Sequence, residues 1–316
     1  MPALSCARRR FLLACAGWTA GAATAAGLPT VRWGLFRNYQ PVYVGIAQGL
    51  FQRAGVNVVL SGNFSSGPAL IQAAGIGHID AGHSAITGLA NAAAQGVGVI
   101  GVADSQTEFA DAPLQQWFVG AHAPIRTVAD LRGKRIAVNS LSGSFYYTTL
   151  IALQGHGIGK HEVHFVTLPH ERQEQALLAG SIDVASLIDP YSVAAAANAR
   201  VRRLFTGADV LGERQFSLVF FRKKLVEEQA PTITRFLTGY RQAIAFLRDD
   251  PAGANAVMAQ ALGVQNKLIV PHRYTAHARV LVRDAQFWLD TMRAGGELGR
   301  APGLRVGDVA TDRFNP

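Results

Sequence analysis

Small polar residues recur at one kind of place in this chain, where an apolar run ends and a helical pattern begins. Ser65-Ser66-Gly67, His83-Ser84 and Ser142-Gly143-Ser144 occupy such positions, and Asn38-Tyr39 and Asp189 hold comparable ones. Hydroxyls and unpaired backbone N–H groups at helix starts suit oxyanions, so the chemistry indicated is capture of an anion. Taken singly, each Ser or Asp could cap its own helix; several converging on one cleft favour a ligand. Asn38 offers donor and acceptor, and Tyr39 a ring face and a hydroxyl. Arg37 is either a direct anion partner or a solvated loop residue. His83 could touch a ligand or act as a base, but no second catalytic group accompanies it. The candidate ligand contacts are therefore Asn38, Tyr39, Ser65, Ser66, Ser84, Ser142, Gly143, Ser144 and Asp189.

These residues need strands that end together, and the pattern supplies them twice. From Lys134 to Tyr191 the chain reads strand (Arg135–Val138), polar turn, helix (Phe145–Gln154), strand (Val163–Leu168), helix (Glu171–Ala179) and strand (Ile182–Leu187). Such alternation predicts a parallel sheet with right-handed crossovers and helices on its faces. About a hundred residues earlier Val31–Leu35 matches the first strand, and Gly77-His78-Ile79-Asp80 answers Gly180-Ser181-Ile182-Asp183. An Ala-rich helix follows each third strand. The expected fold is α/β, two similar lobes with mostly parallel sheets facing one another across a hinge cleft. Ligands of such sheets sit beyond the carboxyl ends of the strands.

The expected division is 27–112 for lobe 1, with 223–316 packing back on it, and 113–222 for lobe 2. Pro113–Val119 would link the lobes, with Trp117 facing the hinge or cleft, and Phe216–Phe221 would close the second lobe. Val42–Arg53 reads as one helix. Pro231–Leu247 is strongly amphipathic, with Ile233, Phe236, Leu237, Tyr240, Ile244 and Leu247 on one face. A second long helix is expected over Tyr274–Ala294. Residues 1–26 read as a twin-arginine-like export signal: Arg8-Arg9-Arg10-Phe11-Leu12-Leu13, a short apolar stretch, then Ala23-Thr24-Ala25. Leu12-Leu13-Ala14-Cys15 offers lipidation at Cys15 as the lesser alternative. The expected location is periplasmic, after cleavage near Ala26.

Composition narrows the classes. At 316 residues, 49% hydrophobic and 16% charged, the chain can bury a large core. A net charge of +9 could serve nucleic acid, but Lys and Arg are spread along the chain without an aromatic-interleaved patch. No nucleic-acid partner is expected. Both cysteines, Cys6 and Cys15, fall in the export segment. His156, His161 and His164 cross a helix end, a turn and a strand start, which is poor metal geometry. No metal and no cofactor are expected.

Pro124-Ile125-Arg126-Thr127-Val128-Ala129-Asp130-Leu131-Arg132-Gly133-Lys134, the Ser142-Gly143-Ser144 turn, Ala179–Asp183 and Ile188-Asp189-Pro190-Tyr191 together resemble a known family. It is the periplasmic substrate-binding proteins of importers for nitrate, sulfonates and taurine, with the type II periplasmic-binding-protein fold, related to thiamine-pyrimidine-synthase-like proteins. Ile188 stands where the aliphatic-sulfonate branch usually has Trp. The resemblance implies ligand capture by a monomer, lobe closure, and delivery to an ABC permease and ATPase on other chains. The chain has no phosphate loop of its own. Relatives of this fold include thiamine-pyrimidine synthases and aromatic sulfinate desulfinases, so a secreted enzyme is the competing reading. Those relatives need cysteines that the chain beyond residue 26 lacks, and the expectation is no enzyme. Tyr39, Phe64, Tyr146, Tyr147 and Tyr191 near the strand ends favour an organic anion such as a sulfonate, taurine or related acid over nitrate. Asp189 would cap the helix after Pro190 or pair with an ammonium on the ligand.

Overall fold

The computed structural model describes residues 27–299 and 301–316. The export signal expected over residues 1–26 lies outside them. The first strand, β1 (Thr30–Phe36), runs into α1 (Pro41–Ala47) and α2 (Leu50–Arg53). Gly49, at φ 62°, separates the two helices that the sequence reads as one, because a left-handed residue breaks the helical ladder. Then follow β2 (Asn57–Phe64), α3 (Gly67–Gly75), β3 (Ala81–Ala85), α4 (Ile86–Ala94) and β4 (Val99–Glu108). Every residue of β4 is buried, as expected of a strand covered on both faces.

The second unit contains β5 (Gln116–Gly120), β6 (Arg135–Val138), α5 (Ser144–Gln154), β7 (His164–Thr167), α6 (His170–Leu178), β8 (Ala185–Leu187), α7 (Tyr191–Ala196) and β9 (Val201–Thr206). The chain then returns through α8 (Gly207–Leu211) to β10 (Arg214–Arg222) and the helices α9 (Lys223–Glu228), α10 (Ala230–Asp249), α11 (Pro251–Leu262) and α12 (Val282–Ala294).

The first sheet has the order β2-β1-β3-β10-β4, with β1 parallel to β2 and β3, and β10 antiparallel to both its neighbours. In the second lobe β6 pairs with β7 in parallel, β5 lies antiparallel between β8 and β9, and an Ile136–Val184 bridge joins the two groups. The resulting order, β7-β6-β8-β5-β9, matches the first sheet position for position. Each lobe thus receives one antiparallel strand from the chain's passage through the other. Consequently the strand over 216–221, expected to close the second lobe, belongs to the first sheet. Its apolar character is the same in either place; only the pairing with Ala81–Ala85 and Val99–Glu108 decides.

Two crossovers therefore form the hinge, at 109–115 and 207–213. Glu108 braces the first, accepting from the backbone N–H of Leu114 (3.0 Å) and Gln115 (2.9 Å), and Gly207 N–H joins it to the second by donating to the Gln115 carbonyl at 2.7 Å. Burial pushes the Glu108 carboxyl up to about 8. Trp117, expected at the hinge or cleft, is wholly buried, stacks on Phe205 at 4.5 Å and donates to Thr149 Oγ1 at 3.0 Å.

The C-terminal helices pack on the first lobe. All six apolar residues read on one face of α10 are buried, and Phe236 stacks on Trp33 (5.6 Å) and Phe51 (5.0 Å). The second long helix begins at Val282, eight residues later than its pattern suggests, because 263–281 is drawn out as a largely irregular strap that reaches lobe 2 at Asp189. Thr275 Oγ1 donates to buried Asp104 at 2.5 Å and Tyr274 OH to the Tyr39 carbonyl at 3.2 Å, fixing the strap to lobe 1. Among the described residues no helix is long and apolar enough to cross a membrane.

Candidate ligand cleft

Three helices of eight residues or more begin at the interlobe cavity: α3 from the first lobe, α5 and α6 from the second. A helix start leaves up to four N–H groups without intrahelical partners. Ser66 Oγ accepts one of them, Ala69 N–H, at 3.4 Å. The caps of α5 (Gly143) and α6 (Pro169) contribute no side-chain acceptor. Both helix starts border about 420 Å³ of space outside protein atoms, part of it open to solvent, lined by Gly143, Ser144 and Asn139 of lobe 2 and by Gly67, His83 and Ser84 of lobe 1.

Ser84 is 2% exposed and its hydroxyl has no partner among the described residues. It lies close under the start of α3. A Cβ placed on Gly67 would stand 2.4 Å from Ser84 Oγ, and one on Gly88 would stand 2.8 Å away. The two glycines are what let the hydroxyl reach this spot. Beside it, His83 is 3% exposed, with Nδ1 3.5 Å from Ser217 Oγ and Nε2 unpartnered. Burial drives its pKa down to about 4, so the ring is neutral at pH 7. Gln106 Nε2, on β4, is a third buried polar atom without a partner on the same cavity. Buried polar atoms in native proteins are nearly always bonded. Three orphans around one cavity mark a place built for a polar guest.

No Lys or Arg lines this inner cavity. It opens past Phe36 and His170 into a second chamber of about 460 Å³ bounded by Arg37, Phe64, Ser65, Glu171 and Tyr191. On another side, past Pro68 and Asn139, it meets an outer groove of about 1200 Å³ containing Ser65, Ser66, Ser142 and Tyr147. Thr87 Oγ1 donates across this groove to the Ser142 carbonyl at 3.1 Å, so the lobes are in contact.

The nine expected contacts thus divide. Ser84, Gly143 and Ser144 line the inner cavity; Ser65, Ser66 and Ser142 line the adjoining spaces. Asn38, Tyr39 and Asp189 line none of these three. Asn38 is buried in the turn after β1, accepting from Gln40 Nε2 at 2.7 Å. Tyr39 packs inside lobe 1, stacked 4.1 Å from His272, with its hydroxyl donating to Asn255 Oδ1 at 3.1 Å. Asp189 accepts from His272 Nε2 at 2.7 Å and from the Ser192 hydroxyl, and it gives no side-chain cap to α7. The helix cap considered for it is therefore not formed, and its carboxylate is engaged by these two side chains instead. Asn255 and His272 lie far along the chain from Tyr39 and Asp189, and no local pattern reveals those two partners.

His170 and Gln106 escape sequence reasoning altogether. The available signal for His170 is its position directly after Pro169 at the end of the β7 run, where helix starts face the ligand.

Residues 37–254 match the model of the NMT1/THI5-like family. The chain belongs to that family. The putative aliphatic sulfonates-binding protein of Escherichia coli (strain K12) is 26% identical over 209 residues, 66% of this chain and 64% of that relative. The alkanesulfonate-binding protein SsuA from Xanthomonas axonopodis pv. citri, solved bound to MOPS, superposes with a TM-score of 0.76 at 21% identity, covering 89% of this chain and 98% of that one. The periplasmic nitrate-binding protein NrtA from Synechocystis PCC 6803 superposes at 0.75 with 11% identity, over 91% and 87% of the two chains. This family member therefore has the two-lobed fold of periplasmic binding proteins, as its strand order requires.

Proposed function

We propose that this family member is an extracytoplasmic solute-binding protein that captures a small organic anion between its lobes and presents it to an ABC permease and ATPase on other chains. One observation carries the reading: the unpartnered Ser84 hydroxyl lies where α3 and α5 begin, in a cavity that exists only between the two lobes. Neutral donors in a buried site stabilise an anion without the desolvation cost of a buried cation. The relatives named above bind sulfonates and nitrate, which supports an oxyanion head group. The side chamber, with Phe36, Phe64 and Tyr191, gives room and ring faces for a carbon skeleton, which favours a sulfonate or related organic acid over nitrate. Export to the periplasm, a monomeric state and the absence of catalysis belong to the same proposal; no cysteine follows residue 26 to act as a nucleophile.

The direct test is calorimetric binding of short alkanesulfonates to the wild type and to Ser84→Ala. Loss of one hydrogen bond to a charged group should weaken binding by about one to two decades. Equal affinity of the variant would place the anion elsewhere.

A further inference from the structure

His170 is the first residue of α6, 3% exposed, at the junction of the inner cavity and the side chamber. Its Nδ1 lies 2.8 Å from the Ser186 carbonyl oxygen. A carbonyl only accepts, so Nδ1 must carry the proton. Among the described residues no partner occupies Nε2, the nitrogen left on the cavity that the ring lines.

Two features keep the ring neutral, and with it a lone pair on Nε2. The ring is buried, with the edge of Phe145 against it at 4.8 Å and Tyr191 stacked at 6.5 Å. Burial lowers its pKa to about 4, the bond to Ser186 opposing only in part. It also sits at a helix N-terminus, where the macrodipole disfavours an imidazolium. The charged groups nearby are Glu171, next along α6, and Arg37 across the side chamber, and their signs oppose. Around the inner cavity helix starts and serine hydroxyls can donate, and Nε2 of His170 is an acceptor whose state the Ser186 carbonyl fixes.

We propose that the ligand carries a hydrogen, on its oxyanion or on an atom next to it, which it donates to Nε2 of His170. This rests on the anion-binding reading above and narrows its ligand class. A bare alkanesulfonate has only acceptors, so its oxygens would meet the lone pair. A phosphonate monoanion offers P–O–H from the head group itself. A 2-hydroxyalkanesulfonate offers the donor from its carbon chain. His170 thus acts as a specificity residue that reads protonation or substitution rather than charge.

The test is a set of matched probes: ethanesulfonate, 2-hydroxyethanesulfonate, and ethylphosphonate at a pH where it is the monoanion. Each is titrated calorimetrically in two buffers of different ionisation enthalpy. At least one donor-bearing probe should bind about tenfold or more tightly than ethanesulfonate, with no proton uptake. Preference for the phosphonate assigns the donor to the head group, and preference for the hydroxysulfonate assigns it to the chain. His170→Phe, which keeps a flat ring beside Phe145, should reduce that preference to less than about threefold while ethanesulfonate still binds. Should that variant not fold, His170→Gln, whose side-chain N–H can turn to the cavity, should also narrow the gap. Ethanesulfonate binding as tightly as both other probes, with one proton taken up, would overturn the proposal while leaving anion capture standing. Absence of binding by all three probes would remove both.

Discussion

His272 Nε2 and Asp189 Oδ2 meet at 2.7 Å, and the pair joins the two lobes. His272 is held on the lobe 1 side by its stack on Tyr39, whereas Asp189 follows the last parallel strand of lobe 2. Both side chains are almost fully buried, at 2% and 6% exposure. Separating the lobes at this point would break the bond, so it favours the closed form. Asp189→Asn and His272→Ala should each speed ligand release by about one to two decades, the scale of one hydrogen bond to a charged group. The double variant should be no faster than the worse single one, as expected of coupled partners. Stopped-flow release rates that multiply in the double variant would show that the two residues act separately.

Acid should loosen the unliganded protein through its buried histidines. His83 and His170 are held near 4 by burial, against about 6.5 when unfolded. The unfolded chain therefore binds more protons between these values, and stability falls as pH drops from about 6.5 toward 4. Buried Asp104 and Glu108 are raised to about 6 and about 8, and they act with the opposite sign. The clean reading is the difference curve. Denaturation of His83→Gln against wild type should show a smaller acid loss for the variant, by about 1–3 kcal/mol over that window. Parallel curves would contradict the neutral buried ring.

The two lobes carry the same internal clasp. Arg32 bonds Asp80 through its backbone N–H (3.0 Å), Nε (2.9 Å) and Nη2 (2.7 Å); Arg135 bonds Asp183 through the same three atoms at 2.8, 3.0 and 2.9 Å. Burial pushes the Asp80 carboxyl up, but the Arg32 hydrogen bonds outweigh it and hold its pKa below the usual range. For Asp183 the Arg135 hydrogen bond dominates, with the same downward result. Both contributions are present at neutral pH and fade as pH falls below about 4. Asp80 is the more buried and also meets Arg222, so urea denaturation should show Asp80→Asn costing about 1–3 kcal/mol and Asp183→Asn less. The reverse order would contradict this ranking.

That clasp shows what was readable without coordinates. Gly77–Asp80 and Gly180–Asp183 announce the repeat because each aspartate must return to the first strand of its lobe. Local signals also placed helix starts just after Ser65-Ser66-Gly67 and at Phe145, each within a residue of where α3 and α5 begin. Pairing between distant segments was not readable. The strand Arg214–Arg222 has the composition of a central strand in either sheet, and nothing within it names its neighbours. Tyr39 reads as a ligand contact until Asn255 and His272 close over it. His170 looks like one more surface histidine until the Ser186 carbonyl fixes its tautomer.

Gly67 gives a sharper check of the site than of the fold. Gly67→Ala would bring a methyl group to 2.4 Å from Ser84 Oγ unless the start of α3 shifts. The expected result is anion affinity lowered by about tenfold or more, with thermal stability changed by only a few degrees. An unchanged affinity would mean that the hydroxyl does not hold the head group.

The most direct measurement of the central claim is a calorimetric panel on the wild type at one salt concentration: nitrate, alkane- and hydroxyalkanesulfonates, taurine, phosphonates and aromatic acids. Binding of an organic oxyanion at one site per chain, tighter than nitrate and with a negative heat-capacity change from burial of its carbon skeleton, is the predicted result. Tight binding of nitrate alone, or of no anion in the panel, would contradict it.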